Sequence, residues 1–298
     1  MASHQITRES SCASLHELLG LSCTIKIVDI GANPIDGPTP YAPLLAAGRA
    51  QVVGFEPNLD ALAKLNALKG PNETYLPHAV ADGRRQRLRC CVLPGMTSLL
   101  EPNPAVLSLF SGFSDWGQVM KVEELQTVRL DDVPETAGLD LPKIDIQGGE
   151  LMVFEHAGER LKDALLIHTE VEFLEMYHGQ PLFSDVERYL RARGFVIHRF
   201  EPLVGRDFKP LLFGTDPYIG HSQLLWADAI FVRDFTRLDR LDPGQLLRLA
   251  VILHDCYRSH DLVLFLLREY DRRTGAIYGD TFFKSVTGNA AENGVRVS

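Results

Sequence analysis

The chain has 298 residues, 45% of them hydrophobic and 23% charged, which is ordinary globular composition and excludes disordered, collagen-like and coiled-coil classes. At about 150 residues per domain the length allows two domains, and a single elaborated α/β domain of this size is equally ordinary. Thirty Lys and Arg against 39 Asp and Glu leave a net charge of −9, which argues against nucleic acid as the partner, because phosphate neutralisation needs clustered positive charge. The one dense basic run, Arg84, Arg85, Arg87 and Arg89, reads as an exposed turn and strand edge. No window reaches the roughly eighteen apolar residues of a spanning helix, so no stable membrane insertion is expected. Met1 to Ser11 is polar where a secretory signal needs an apolar run. Five cysteines without C-x-x-C spacing indicate neither a disulfide framework nor a zinc site, and the expected setting is a reducing cytoplasm.

Strands and helices alternate along the chain. Ile25 to Ile30 is a buried-strand run ended by Gly31, and Ala50 to Phe55 is a second, closed by Glu56-Pro57. Tyr41 to Ala47 forms a short helix between them. Leu59 to Leu68 has helical spacing, with Asn58 as N-cap and Gly70 as the C′ stop. Glu73 to Val80 reads as a third strand and Gln86 to Leu93 as an added antiparallel one. Glu101 to Gly117, rich in Pro, Ser and Gly with Phe110, Phe113 and Trp116 spaced through it, suits a loop over a site or a subunit contact better than a core element.

Val119 to Leu130 is extended, Lys143 to Ile146 is a fourth core strand, and Glu150 to His156 a helix. Ala164 to Val171 is a fifth strand, Ser184 to Arg193 a helix stopped by Gly194, and Phe195 to Phe200 and Ala227 to Arg233 two further strands. Pro243 to Leu253 and Leu262 to Tyr270 are terminal helices, and the chain from Gly275 reads as a frayed tail. This succession points to a parallel sheet with helical crossovers.

The first strand ends V-D-I-G-A-N-P-I-D-G, and in an open parallel sheet ligands sit at such carboxyl ends. The dinucleotide fingerprint needs glycine at positions 33 and 36, where Asn33 and Asp36 stand. Asp29 would also repel a pyrophosphate. A carboxylate beside a tight glycine turn fits a ligand carrying a cationic amine and no phosphate, such as S-adenosylmethionine. Glu56, ending the second strand, can accept hydrogen bonds from both ribose hydroxyls. Ala79-Val80 at the third strand's end lies in the right order to form an adenine slot.

These segments resemble the FkbM type of S-adenosylmethionine-dependent methyltransferases, a branch of the class I Rossmann-like enzymes. The resemblance runs from about Ile25 to Asp234 and rests on V-D-I-G-A-N (28–33), G-F-E-P-N (54–58), H-A-V-A-D (78–82), T-S-L-L-E-P-N (97–103), V-R-L-D-D-V (128–133), P-K-I-D-I-Q-G-G-E (142–150), E-V-E-F-L-E-M-Y-H-G-Q-P-L-F (170–183) and W-A-D-A-I-F-V-R (226–233). One departure is that Pro34-Ile35-Asp36 precede Gly37, where the family places glycine sooner after the turn. The resemblance implies an α/β fold with a mostly parallel seven-stranded sheet, helices on both faces, an inserted β/loop segment and C-terminal helices. It also implies bound S-adenosylmethionine, S-adenosylhomocysteine as product, and methyl transfer most often to oxygen.

The cofactor-binding set expected on this footing is Asp29, Gly31, Ala32, Asn33, Glu56, Pro57, Ala79, Val80 and Asp145. Asp145, in an otherwise apolar strand, is the first choice for the base that takes the acceptor's proton, because a buried strand carboxylate is costly unless paired or used. Glu150, His168 and Glu170 are the other catalytic candidates, the last two alternating on one face of the fifth strand. Tyr177, His178 and His221 are expected to meet the acceptor, a small molecule or glycan. No metal is expected, since no H-x-x-x-H or similar spacing supports one. The domain division is a lead-in over 1–24, the methyltransferase domain over 25–234, a helical extension over 235–274 and a flexible tail over 275–298, with a homodimer as a possible assembly. A non-catalytic binder of the same nucleotide is the rival reading, and a nicotinamide-dependent dehydrogenase, lacking its glycines, a weaker one.

Overall fold

The computed structural model describes residues 13–32, 38–212, 220 and 222–288. In chain order these form α1 (Leu15–Leu19), β1 (Ile25–Ile30), α2 (Ala42–Ala46), β2 (Ala50–Phe55), α3 (Leu59–Leu68), β3 (Glu73–Leu76), β4 (Ala79–Val80) and β5 (Arg85–Cys91). There follow α4 (Pro104–Leu107), α5 (Phe113–Trp116), β6 (Val119–Val128), β7 (Leu141–Ile144), α6 (Glu150–Glu155), α7 (Arg160–Asp163) and β8 (Leu166–Glu172). The chain ends with α8 (Phe183–Arg191), β9 (Phe195–Arg206), β10 (Gln223–Arg233), α9 (Pro243–Asp255), α10 (His260–Thr274) and α11 (Tyr278–Thr287). Two compact units result: Thr24–Arg240, and the chain before and after it.

The larger unit holds a seven-stranded sheet in the order β3-β2-β1-β7-β8-β10-β9. Its first five strands run parallel, and β10 is antiparallel to both β8 and β9. Strands covered on both faces read as unbroken apolar runs, and β1 obeys, with every residue but Lys26 buried. Val28, Ile30, Val53, Phe55, Ile144 and Phe231 meet Val153, Phe154 and Leu190 of the crossing helices in one core. In α3 the Asn58 side chain accepts from the Asp60 and Ala61 amides, satisfying donors that the first turn leaves open. Its C-terminus departs from the expected glycine stop, because Lys69 turns extended and no left-handed residue follows.

The expected third strand is split. Glu73–Leu76 pairs with β2, whereas Ala79–Val80 pairs in parallel with Thr127–Val128 of β6 in a second, three-stranded sheet. Pro77 stands at the break, and proline has no N–H to continue a ladder. In that sheet β5 runs antiparallel to β6. The segment 101–117 is likewise no loose loop. It contains α4 and α5, and Phe110 and Phe113 are buried with Cys91, Met96, Leu107, Met176, Tyr177 and Leu225 in a second apolar cluster. Its Pro, Ser and Gly residues make the helices short without keeping the aromatics out of a core.

The smaller unit is helical. Ser14 with Glu17 and Asp242 with Gln245 form capping boxes that open α1 and α9. The expected tail after Gly275 contains α11, whose Phe282 is 1% exposed and packs against the rings of His254 and His260. Phe282→Ala should therefore cost about 3–5 kcal/mol. Amide exchange over 278–287 will show protection lost in that variant and retained in the parent.

Candidate functional site

The register of the central strands sets charges side by side. Asp29 of β1 pairs with Lys143 of β7, which pairs in turn with His168 of β8. Asp29 is 1% exposed; the Tyr41 hydroxyl donates to its Oδ2 at 2.5 Å, and Lys143 Nζ lies 3.6 Å from its Oδ1. Its carboxylate is thus already engaged within the protein, where the sequence suggests one reserved for a ligand's amine. Burial works against the Lys143 charge, yet Asp29, Asp145, Asp228 and Glu170 together hold its pKa above the ordinary value.

Gly31 follows β1 with φ +84, and its amide and that of Ala32 both donate to the Phe55 carbonyl. A β-carbon at position 31 would collide with the Asp145 carbonyl, so only glycine lets the turns after β1 and β7 approach this closely. Glu56 ends β2 buried, with Oε1 accepting the Asn58 amide at 2.7 Å. No described hydrogen bond reaches its Oε2, and burial raises its pKa, an effect the Asn58 amide opposes. Pro57 beside it is half-buried. Ala79 is half-buried in the second sheet, and Val80 is buried against Val53, Phe55 and Leu130.

Asp145 lies one residue beyond β7, outside the strand the sequence assigns to it, and its amide donates to the Ile30 carbonyl. The turn after it takes two left-handed residues, Gln147 (φ +60) and Gly148 (φ +98). Gln147 Nε2 donates to Asp145 Oδ1 and to Glu170 Oε2, both at 2.9 Å. His168, Glu170 and Glu172 alternate along β8, so they share one face. His168 Nε2 is 3.4 Å from Asp228 Oδ2 on the neighbouring β10. Burial, reinforced by Asp145 and the other carboxylates, lifts the Glu170 and Glu172 carboxyls well above their ordinary range.

Three further candidates hydrogen-bond elsewhere. Glu150 is 2% exposed and its Oε1 accepts the Ile146 and Gly148 amides, so it locks the turn rather than facing an acceptor. Tyr177, expected at the acceptor, is wholly buried in the second apolar cluster, with its hydroxyl donating to the Met96 carbonyl. His178 is exposed and its amide donates to the Glu101 carbonyl. Asn33 and His221 lie outside the described residues. Tyr41, Lys143, Gln147, Glu172 and Asp228 join the group only in the folded chain. Glu172 carried a readable signal, standing two residues after Glu170 on the same strand face.

In sequence, the Methyltransferase FkbM domain family matches residues 29–197. No curated protein matches the chain. Among solved structures the chain is similar to precorrin-6y C5,15-methyltransferase from Geobacter metallireducens GS-15, at 13% identity over 74% of this chain and 85% of that one, with a TM-score of 0.36. It is also similar to an antibiotic-related methyltransferase, at 14% identity over 73% and 92% of the two chains and a TM-score of 0.34. A third is TrmK of M. capricolum in complex with S-adenosylhomocysteine, at 9% identity over 90% and 97% and a TM-score of 0.34. Among the described residues no helix is long and apolar enough to cross a membrane.

The buried acids give the fold a pH dependence of definite sign. Burial, aided by the Asp145 charge and opposed by the backbone donors, raises Glu150 from 4.5 to about 7. Between those values the folded protein holds a proton that the unfolded chain has released, so stability falls as the pH rises through that window. For this group the loss is on the order of 3 kcal/mol, and Glu170 and Glu172 carry the decline further upward. Urea midpoints measured from about pH 5 to about pH 8 should fall steadily, and Glu150→Gln, which keeps the acceptor oxygen, should flatten the part below about pH 7.

Proposed function

Because the chain belongs to the FkbM family of S-adenosylmethionine-dependent methyltransferases, we propose that it methylates a hydroxyl oxygen of a sugar, glycolipid or secondary metabolite. The cofactor is S-adenosylmethionine, which when bound supplies a methyl group on a sulfonium for in-line displacement by the acceptor. The residues present fit such a ligand. The turn at Gly31 and Ala32 closes on that of Asp145, and Glu56 Oε2 is left for ribose hydroxyl donors. Pro57, Ala79 and Val80 are assigned to the walls of the nucleoside site. Asp29 acts one step back, anchoring Tyr41 and Lys143 behind the turn.

The observation that carries the acceptor reading is the carboxyl pair of Asp145 and Glu170, joined through one amide at the ends of β7 and β8. An alcohol presented there loses its proton to a carboxylate as its oxygen takes the methyl group. Asp145 is half-exposed whereas Glu170 is buried, so Asp145 is assigned as the acceptor of that proton. Glu170, whose carboxyl burial and the neighbouring carboxylates push well above its ordinary range, is assigned to orient the hydroxyl, and His168 with Asp228 borders the same face.

Labelled S-adenosylmethionine offered with hydroxyl-bearing acceptors should yield an O-methyl ether identifiable by mass spectrometry, whereas label found only on nitrogen or carbon would overturn the assignment. Asp145→Asn retains the oxygen that accepts from Gln147, and turnover should fall by roughly 10²–10⁴-fold while the affinity for S-adenosylhomocysteine changes little. Glu56→Ala should show the converse, calorimetric affinity falling by more than about tenfold through loss of charged hydrogen-bond acceptors. A full-rate Asp145→Asn enzyme removes that residue from the chemistry.

A further inference from the structure

Gln147 has a backbone that non-glycine side chains seldom adopt, φ +60, in a turn held from three sides. Its carbonyl accepts the hydroxyl of the buried Ser98 at 2.6 Å. The Glu150 carboxylate takes the amides on either side of it, those of Ile146 and Gly148. Beyond, the Gln180 side chain packs so tightly on Gly148 that a β-carbon there would stand 2.8 Å from Gln180 Nε2. A strained residue persists where its surroundings over-determine it, and such residues cluster at functional sites. Here the strained residue carries the amide that touches both carboxyl groups of the pair.

We propose that Gln147 is the positioning residue of the acceptor site: its side-chain amide spans Asp145 and Glu170 and holds the two carboxyl groups in one fixed geometry. This rests on the acceptor reading given above. An amide suits the task because its two N–H groups donate at once and it neither gains nor loses a proton near neutrality. A carboxylate or an ammonium in its place would change the charge of a group already crowded. The charged and titratable groups facing the pair are Lys143 on β7, Asp29 on β1, His168 and Glu172 on β8, Asp228 on β10, Glu150 on α6 and Tyr177. Two carboxyl groups sharing a donor this closely do not both ionise at low cost. The bridge therefore favours one carboxylate and one carboxylic acid, the combination of proton acceptor and hydroxyl orienter that an alcohol needs.

Three substitutions in the full-length chain test this. Gln147→Asn tolerates a left-handed backbone and is one methylene too short to span the pair. Gln147→Gly favours the same backbone and removes the amide, so it serves if the asparagine variant fails to fold. Gln147→Glu replaces a donor with a further acid. Carboxyl carbon-13 titration of the protein without acceptor reads the pair directly, its signals assigned by their loss in Asp145→Asn and Glu170→Gln. In Gln147→Asn or Gln147→Gly the lower step of the coupled titration should move up by at least about one pH unit, the tenfold effect of losing a hydrogen bond to a charged group. The acid limb of the kcat profile should move with it, and the KM for S-adenosylmethionine should stay within about twofold. Folded variants whose titration matches the parent overturn the proposal. A shifted titration in a protein that methylates no hydroxyl supports the bridge and tells against the O-methylation reading instead.

Discussion

One half-buried ammonium surrounded by more carboxyl groups than it can neutralise is the constraint on which the rest of this site depends. Lys143 lies among Asp29, Asp145, Asp228 and Glu170, and the strand order β1-β7-β8-β10 lines these residues up across neighbouring strands. Burying a net negative charge is expensive, and the structure answers with protons and neutral donors. Burial and neighbouring carboxylates raise the glutamates on β8 well above their ordinary range, Tyr41 offers a hydroxyl to Asp29, and Gln147 offers an amide to the carboxyl pair. The glycine at position 31 belongs to the same solution, because it lets the end of β1 come close enough for this crowding to occur.

Much of the frame could be read from residues alone. The extents of β1 and β2 follow from short apolar runs with Gly31 and Glu56-Pro57 after them, and α3 from its spacing and the Asn58 cap. What could not be read depended on partners. Strands β9 and β10 run longer than their apolar stretches because each supplies hydrogen bonds to the other as far as Arg206 and Gln223. Pro77 did announce the break in the third strand, but the place its second half would find, beside Thr127 and Val128, lies nearly fifty residues away.

The site shows the same division. Residues of distinctive chemistry at strand ends, Gly31, Glu56, Asp145 and Glu170, could be picked from the sequence as candidates because their position restricts what they can do. Gln147 was not, since a glutamine between glycine and isoleucine carries no periodic or charge signal, and its part depends on a left-handed turn that only the folded backbone displays. Glu150 and Tyr177 stand apart from these. Both are polar residues in a matching segment, and each spends its polar atoms on backbone within the protein.

The second apolar cluster has a spectroscopic consequence. Both tryptophans of the chain, Trp116 and Trp226, pack there, with ring centroids 5.1 and 6.2 Å from that of Phe113 and the Arg206 guanidinium 4.9 Å above Trp226. Intrinsic indole emission from this protein is therefore a local signal. It reports how the short helices between β5 and β6 sit against the Met176-Tyr177 turn and β10, and the aliphatic interior of the large sheet and the helices of the smaller unit contribute nothing to it.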